Sequence, residues 1–237
     1  MPVSDLVAPL SAAEVEALVL SLRVAGVATL ATLPAAVGLG WILARGRFPG
    51  KWLVEAAVSL PLVLPPVVTG LALLLLFGSR GPLGSLLADV FGVSLLFHWT
   101  GAALAAGIMA LPLMVRPIRL AIEGVDRGLE QAAATLGAPP AFVFFSVVLP
   151  LALPGVIAGT LLGFARAFGE FGATVTFVGA IPGETRTLPV AIYGALQGVD
   201  GETSALRLAL ISIAVAVIAL VGTEAVSRVL GRQSVVA

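Results

Sequence analysis

The chain has 237 residues, of which 59% are hydrophobic and 11% are charged, and its formal net charge is zero. This composition leaves too little polar surface to cover a soluble domain, so it indicates a protein of the lipid bilayer. The balanced charge argues against a nucleic-acid partner, since no basic surface is available to bind phosphates. The absence of cysteine excludes disulfides and thiolate metal sites, and the single histidine argues against a histidine-built metal centre.

Five apolar segments are long enough to cross a bilayer, which takes about 20 residues per helix. They cover residues 18–44, 52–77, 95–115, 143–178 and 206–226. The fourth is longer than one crossing needs. A tilted helix or a glycine-rich end that bends back would absorb the surplus, and a sixth crossing is also compatible with this length. We predict an all-α fold, with residues 1–237 forming one polytopic transmembrane domain of about five membrane helices.

The second segment contains Pro61, Pro65 and Pro66. Proline lacks the amide hydrogen that a helix needs, and lipid offers no replacement partner, so this segment should kink or break. Two interpretations stay open. The break either packs against neighbouring helices or lines a water-filled pathway through the membrane. In the second case Thr69, just beyond the break, is a candidate contact for a transported solute.

The basic residues indicate an orientation in the membrane. Eight of the thirteen lysines and arginines fall on one side of a five-span arrangement: Arg45, Arg47, Lys51, Arg116, Arg119, Arg127, Arg228 and Arg232. Cytoplasmic connections carry such an excess of basic residues, so we expect the N-terminus outside and the C-terminus in the cytoplasm. The first apolar segment is too long, and its flank too poor in basic residues, for a cleavable signal peptide.

Arg166 and Glu170 lie four residues apart in the fourth segment, a spacing that places them on one face of a helix. Ionised groups are costly in a membrane unless they are paired or hydrated. The two residues either neutralise each other near the outer interface or face a pathway in which Arg166 attracts an anion. Gly155, Gly159 and Gly163 form a strip of small residues on which another helix can pack, most simply within the bundle, with a subunit interface as the second interpretation.

Between the third and fourth segments, the pattern predicts a helix, a corner and a second helix. Residues 129–136 are rich in alanine and run into Gly137, which permits the left-handed turn that commonly ends a helix. Pro139 and Pro140 cannot continue that helix, but they suit the first turn of a new one from Ala141 onward. By pattern alone, an ordinary loop between two spans is an equal alternative.

Residues 130–150, EQAAATLGAPPAFVFFSVVLP, resemble the signature loop of ABC-importer permeases. That signature reads Glu-Ala-Ala, three residues, Gly, nine residues, Ile, one residue and Leu-Pro. The residues that keep its spacing are Ala132, Ala133, Gly137, Val147 in the Ile place, Leu149 and Pro150; Gln131 stands in the Glu place, and Glu130 lies one position earlier. The resemblance implies a cytoplasmic coupling loop within residues 126–142, with the helix at 130–137 seated in a cleft of a separate ATPase subunit.

The similarity to permease subunits of bacterial molybdate importers extends over most of the chain, including FPGKWLVEAAVSLPLVLPPVVTG and FARAFGEFGATVTFVG. It implies the type I ABC importer permease fold, a homodimer in the bacterial inner membrane, two ATPase subunits and an external oxyanion-binding protein. It also implies inward transport of molybdate by alternating access, with tungstate or sulfate and thiosulfate as alternatives. The candidate pathway or gate residues are Pro65, Pro66, Thr69, Arg166, Glu170, Thr174 and Thr176.

The chain has no Walker motif, because its only lysine, Lys51, is followed by Trp52. We therefore expect it to bind no cofactor and to catalyse no reaction, with ATP and Mg²⁺ bound by the partner ATPase. A purely structural membrane subunit and a gradient-driven secondary transporter or channel are the rival classes. Such carriers usually contain inverted repeats and several buried carboxylates, whereas Glu170 is the one carboxylate in the middle of an apolar segment here.

Overall fold

A computed structural model of the chain describes residues 9–198 and 201–231, which form helices joined by short connections. In chain order these are α1 (Ala12–Arg45), α2 (Lys51–Val63), α3 (Pro66–Phe77), α4 (Pro82–Phe91), α5 (Trp99–Glu123), α6 (Arg127–Thr135), α7 (Pro140–Phe168), α8 (Gly172–Val178), α9 (Leu188–Leu196) and α10 (Glu202–Gly231). The prediction of an all-α membrane bundle is confirmed. Arg232, one of the basic residues used to orient the chain, lies outside the described residues.

Four helices, α1, α5, α7 and α10, are each long and apolar enough to cross a membrane, and the bent pair α2–α3 brings the number to five. In the part of the chain that the structure describes, a sixth helix of this kind is not found. The surplus length of the predicted fourth span is explained by α7 ending at Phe168 and the separate short helix α8 following it. The third span was placed too early in the chain, since α5 runs from Trp99 to Glu123.

Helix α1 is the longest element and begins with a reciprocal cap. The Glu14 amide donates to Ser11 Oγ at 3.3 Å, and the Ser11 amide donates to Glu14 Oε2 at 2.7 Å. These bonds satisfy amides that have no partner inside the helix. With 34 residues, α1 is about 50 Å long. It packs along α5, which also packs along α7, so the bundle core lies between these three helices.

The second span breaks between α2 and α3, whose axes differ in direction by 113°. Pro65 and Pro66 occupy the break and cannot donate the backbone bonds that a continuous helix requires. The predicted break is thus confirmed. Helix α3 then packs tightly on α8, because a Cβ on Gly70 would lie 2.7 Å from the carbonyl oxygen of Ala173. This packing agrees with the first interpretation of the break, and a lining role in a pathway remains a prediction.

Helix α7 contains a π-helical turn, Phe144–Val148, before it continues as an α-helix from Leu149. In this turn the Leu149 amide donates to the carbonyl of Phe144, five residues earlier. The turn lies just before Pro150, which has no amide hydrogen to continue the regular pattern. The predicted coupling-loop residues Leu149 and Pro150 therefore lie in the long helix and not in the exposed corner.

The glycine strip of α7 packs on α5, as predicted for packing within the bundle. A Cβ on Gly159 would lie 2.8 Å from the carbonyl oxygen of Met114, and a Cβ on Gly155 would overlap the Cβ of Ala121. Only glycine lets the two backbones approach this closely, and close approach is a main source of attraction between helices in lipid.

We expect Gly155→Ala to destabilise the protein by about 1–3 kcal/mol, because the added methyl group meets a rigid backbone and a Cβ atom. Thermal unfolding in detergent measures the effect. Gly26→Ala is the matched control, since Gly26 also lies inside a helix but a Cβ there would meet nothing within 4 Å. Equal unfolding temperatures for the two variants would contradict the packing described for α5 and α7.

Candidate functional site

Helix α6 is a short surface helix between α5 and α7, with a defined cap at each end. At its start, Asp126 Oδ1 accepts from the Gly128 amide at 2.8 Å. At its end, Gly137 has a φ of +84°, its amide donates to the carbonyl of Ala134, and the Ala138 amide donates to that of Ala133. This pair of bonds is the Schellman arrangement. The corner predicted at Gly137 is confirmed, and a residue with a Cβ would be strained there by about 1–2 kcal/mol.

One face of α6 turns back towards the bundle. Glu130 pairs with Arg45 of α1, with an N···O distance of 2.6 Å, and the two side chains are only 23% and 13% exposed. The other Arg45 contact is a hydrogen bond of 2.8 Å to the carbonyl oxygen of Val125. Glu130, which was predicted from the signature as part of an ATPase contact, is therefore held by this chain's own first helix. Sequence spacing gave no signal for Arg45, because the two partners lie far apart in the chain.

The opposite face of α6 is exposed and largely apolar. Leu129, Ala132 and Leu136 follow one another at helical spacing, and their side chains form one stripe. Leu136 is 89% exposed and Leu129 is 48% exposed. Gln131 is also exposed, whereas Ala133 is half-buried beside the stripe. All nine residues of α6 are described, and none is buried. The two leucines were not singled out from the sequence, although their spacing could have identified them.

A second group of predicted residues meets where α3 crosses α8. Pro65 and Pro66 lie exposed at the break, and Thr69 is buried one turn later, facing away from solvent. The Thr69 hydroxyl has no hydrogen-bond partner among the described residues. A Cβ on Gly172 would lie 2.8 Å from Cβ of Pro66, so the start of α8 sits directly against the break.

Arg166 and Glu170 form the predicted ion pair, with an N···O distance of 2.5 Å. They do not share one helix, however, because α7 ends at Phe168 and Glu170 lies in the connection that follows. The buried Glu170 carboxylate also accepts from the Ala173 amide at 2.9 Å, which caps the start of α8. Of the pair, Arg166 is the more exposed, at 25% for its side chain.

The two predicted threonines of α8 differ in the burial and hydrogen bonding of their side chains. Thr174 is fully buried, and the Thr176 hydroxyl donates back to the carbonyl of Gly172 at 2.8 Å. The Thr176 side chain also packs against α3, since a Cβ on Gly70 would lie 2.8 Å from Cβ of Thr176. Within residues 9–198 and 201–231, no group of three or more His, Cys, Asp or Glu residues could hold a metal ion.

Helices long and apolar enough to cross a membrane, with an exposed amphipathic helix between two of them, define a polytopic integral membrane protein. The sequence comparisons specify which one. A model of the family described as "Binding-protein-dependent transport system inner membrane component" matches residues 36–231. The chain therefore belongs to this family.

Individual relatives and a solved structure agree with this membership. The chain is 55% identical over 216 residues to the molybdenum transport system permease protein ModB of Escherichia coli strain K12, covering 91% of this chain and 94% of the relative. It is 49% identical over 215 residues to the protein of the same name from Haemophilus influenzae, with the same two coverages. A bacterial ABC transporter involved in the import of alginate superposes with a TM-score of 0.71 at 16% identity, covering 92% of this chain and 80% of that one. The predicted ABC importer permease fold is confirmed.

Proposed function

We propose that this chain is the membrane-spanning permease subunit of an ATP-driven importer that carries molybdate into the cell. The single observation that carries the substrate is the 55% identity, over nearly the whole of both chains, to a molybdenum permease. Tungstate and sulfate or thiosulfate importers are the alternatives, because these anions share their tetrahedral shape and charge. The complete importer contains two copies of this chain, two ATPase subunits and an external binding protein that delivers the anion.

The exposed stripe of α6 supports a role for this helix as the ATPase contact. Leucine side chains at a water-exposed end of a membrane protein favour a protein partner, since such apolar surface is costly to leave in water. A short rigid helix with both ends capped can transmit movement as a unit. In the proposed cycle, ATP draws the two ATPase subunits together, α6 moves with its subunit, and the bundle opens outward; hydrolysis returns it to the inward-facing state.

Two sets of contacts identify which helix ends lie together at each end of the bundle, and they support the proposed orientation. At one end, Arg45 of α1 meets Glu130 of α6, close to the end of α5. At the other end, Glu14 of α1 pairs with Arg207 at the start of α10. The positively charged residues of the first and third connections lie at the α6 end, so the positive-inside rule puts α6 in the cytoplasm and the start of α1 outside.

A single introduced cysteine tests both the orientation and the ATPase contact, because the chain has no cysteine of its own. We expect Leu136→Cys to react with a membrane-impermeant maleimide only from the cytoplasmic side, and to be protected when the ATPase subunit is bound. Ser94→Cys, an exposed position before α5, is the control and should react only from outside, with or without the ATPase. Labelling of Leu136→Cys from outside the cell would contradict the proposed orientation.

The break between α2 and α3, together with α8, is the candidate pathway wall. Two polar side chains here are candidates for a weak contact with an anion: Thr69, whose hydroxyl is buried in this conformation and has no partner among the described residues, and Arg166, whose side chain is 25% exposed and paired with Glu170. The Glu170 carboxylate lowers the net charge beside Arg166, and a transporter that must release its cargo needs weak contacts of this kind. We assign Pro65, Pro66, Thr174 and Thr176 to the same wall, where they support its structure.

We expect Arg166→Gln to lower the rate of anion uptake per assembled complex by about tenfold or more, because it leaves Glu170 as an uncompensated negative charge beside the pathway. Arg166→Lys keeps a positive charge and should retain most of the uptake. Uptake into vesicles, normalised to the amount of complex, is the measurement. If Arg166→Gln lowers only the unfolding temperature and leaves uptake per complex unchanged, Arg166 stabilises the fold and takes no part in the pathway.

The energy for uptake comes, in this proposal, from a separate subunit. The chain has no Walker motif, so ATP and Mg²⁺ are bound by the partner ATPase and the permease itself is not an enzyme. A gradient-driven carrier would transport without any ATPase. An ABC permease and a gradient-driven carrier therefore differ in whether uptake requires the ATPase, and this requirement can be measured directly.

The decisive experiment reconstitutes the chain with its ATPase and binding protein in lipid vesicles. We expect molybdate-loaded binding protein to stimulate ATP hydrolysis more than sulfate-loaded binding protein does, and the chain alone to transport neither anion. Greater stimulation by sulfate would assign the importer to the sulfate group. Uptake that persists without the ATPase and collapses with the proton or sodium gradient would place the chain among secondary transporters.

A further inference from the structure

We propose that Arg45 is a positioning residue that makes the inner end of α1 move together with α6. The proposal rests on the function proposed above and adds a route by which movement of α6 enters the bundle. In addition to the chain connections of α6 to α5 and α7, a side-chain connection joins α6 to α1.

The geometry of Arg45 suits this role. Its guanidinium contacts both the carboxylate of Glu130, at 2.6 Å, and the carbonyl oxygen of Val125, at 2.8 Å. Val125 lies just before the cap of α6, and Glu130 lies in its first turns, so one side chain holds the beginning of α6 at two points. A guanidinium can bind two acceptors in a fixed plane, and Arg45, the last residue of α1, reaches both of these acceptors from the end of that helix.

Little else attaches α6 to the bundle laterally. Among the described residues, Arg45–Glu130 is the one ion pair that links α6 to another helix, and no α6 residue is buried. A cavity of about 190 Å³ lies beneath the helix, lined in part by Glu130, Ala134 and Ala138. Space beneath a lightly attached helix lets it tilt, so a single strong side-chain contact decides whether α1 follows.

A second contact lies one turn earlier on the same face of α1. The Trp41 ring stands 5.4 Å from the ring of Phe144, which begins the π-helical turn of α7. Trp41 and Arg45 are four residues apart, so α1 presents an aromatic residue to α7 and a charge to α6 from one face. The last turns of α1 therefore touch both sides of the corner formed by α6 and α7.

The outer end of α1 is also tied to its neighbours by polar contacts. Glu14 pairs with Arg207 of α10 at 3.0 Å and accepts from the Ser204 hydroxyl at 3.2 Å. The Ser21 hydroxyl accepts from the Leu188 amide, at the start of α9, at 2.6 Å. A displacement of the Arg45 end therefore reaches, through one helix, the contacts that hold α9 and α10 on the opposite side of the membrane.

The test measures molybdate transported per ATP hydrolysed in the reconstituted importer. We expect Arg45→Gln to lower this ratio by about twofold to thirtyfold, since hydrolysis continues while α1 no longer follows α6. Arg45→Lys keeps the charge and should restore most of the ratio. Arg47→Gln is the matched control, because Arg47 is exposed and forms no ion pair among the described residues, and it should behave like the unmodified chain.

Exchanging the charges of Arg45 and Glu130 tests whether Arg45 acts through Glu130. Arg45→Glu and Glu130→Arg should each lower the ratio, and the double variant should raise it above both single variants. The proposal is overturned if Arg45→Gln has the same ratio as Arg47→Gln, if it lowers only the yield of complex, or if the double variant is no better than the single ones. Absence of ATP-dependent uptake by the unmodified complex would instead contradict the proposed function.

Discussion

Inside a bilayer, each backbone amide and carbonyl must find its partner within the protein, and this requirement explains where the helices of this chain end. The break at Pro65 and Pro66 lies against the start of α8, the end of α7 is followed by a carboxylate that caps α8, and the irregular turn before Pro150 stays within a helical hydrogen-bond pattern. Each irregular point thus coincides with a compensating contact. One of these irregular points, the break between α2 and α3 against α8, is also the candidate pathway wall.

The fold was predictable from the sequence because its main determinants are local. Apolar length gives the spans, Gly137 gives the corner, and Pro65 with Pro66 gives the break, and each of these effects depends on a few neighbouring residues. The boundaries were less predictable, since an apolar run does not show where the helix begins: α1 starts at a polar cap at Ser11, ahead of its apolar stretch. A glycine-rich end that bends back was one of the alternatives for the fourth segment, and Gly169 lies where α7 ends, but the placement of Arg166 and Glu170 on one helix was wrong.

Contacts between distant residues could not be predicted in the same way. Four helices, α2 to α5, lie between Arg45 and Glu130 in the chain, and nothing in the spacing of either residue indicates the other. Glu130 instead invited an interpretation from the signature, in which the acidic residue faces another protein. The same limit applies to Arg23 of α1, whose guanidinium lies 3.8 Å from the centre of the Trp99 ring at the start of α5. Arg23 forms no ion pair within the described part of the chain, and the aromatic face offsets part of the cost of placing that charge near the membrane.

The exposed apolar face of α6 affects copies of the chain that are not assembled with a partner in the cell. A copy with nothing bound to α6 leaves Leu129 and Leu136 in contact with water at the membrane surface. Uncovered leucines of this kind attract other hydrophobic surfaces, including chaperones, proteases and further unassembled copies. In the proposed importer the ATPase subunit covers this helix, so synthesis of the chain in excess of the ATPase carries a cost that matched synthesis of the two subunits avoids.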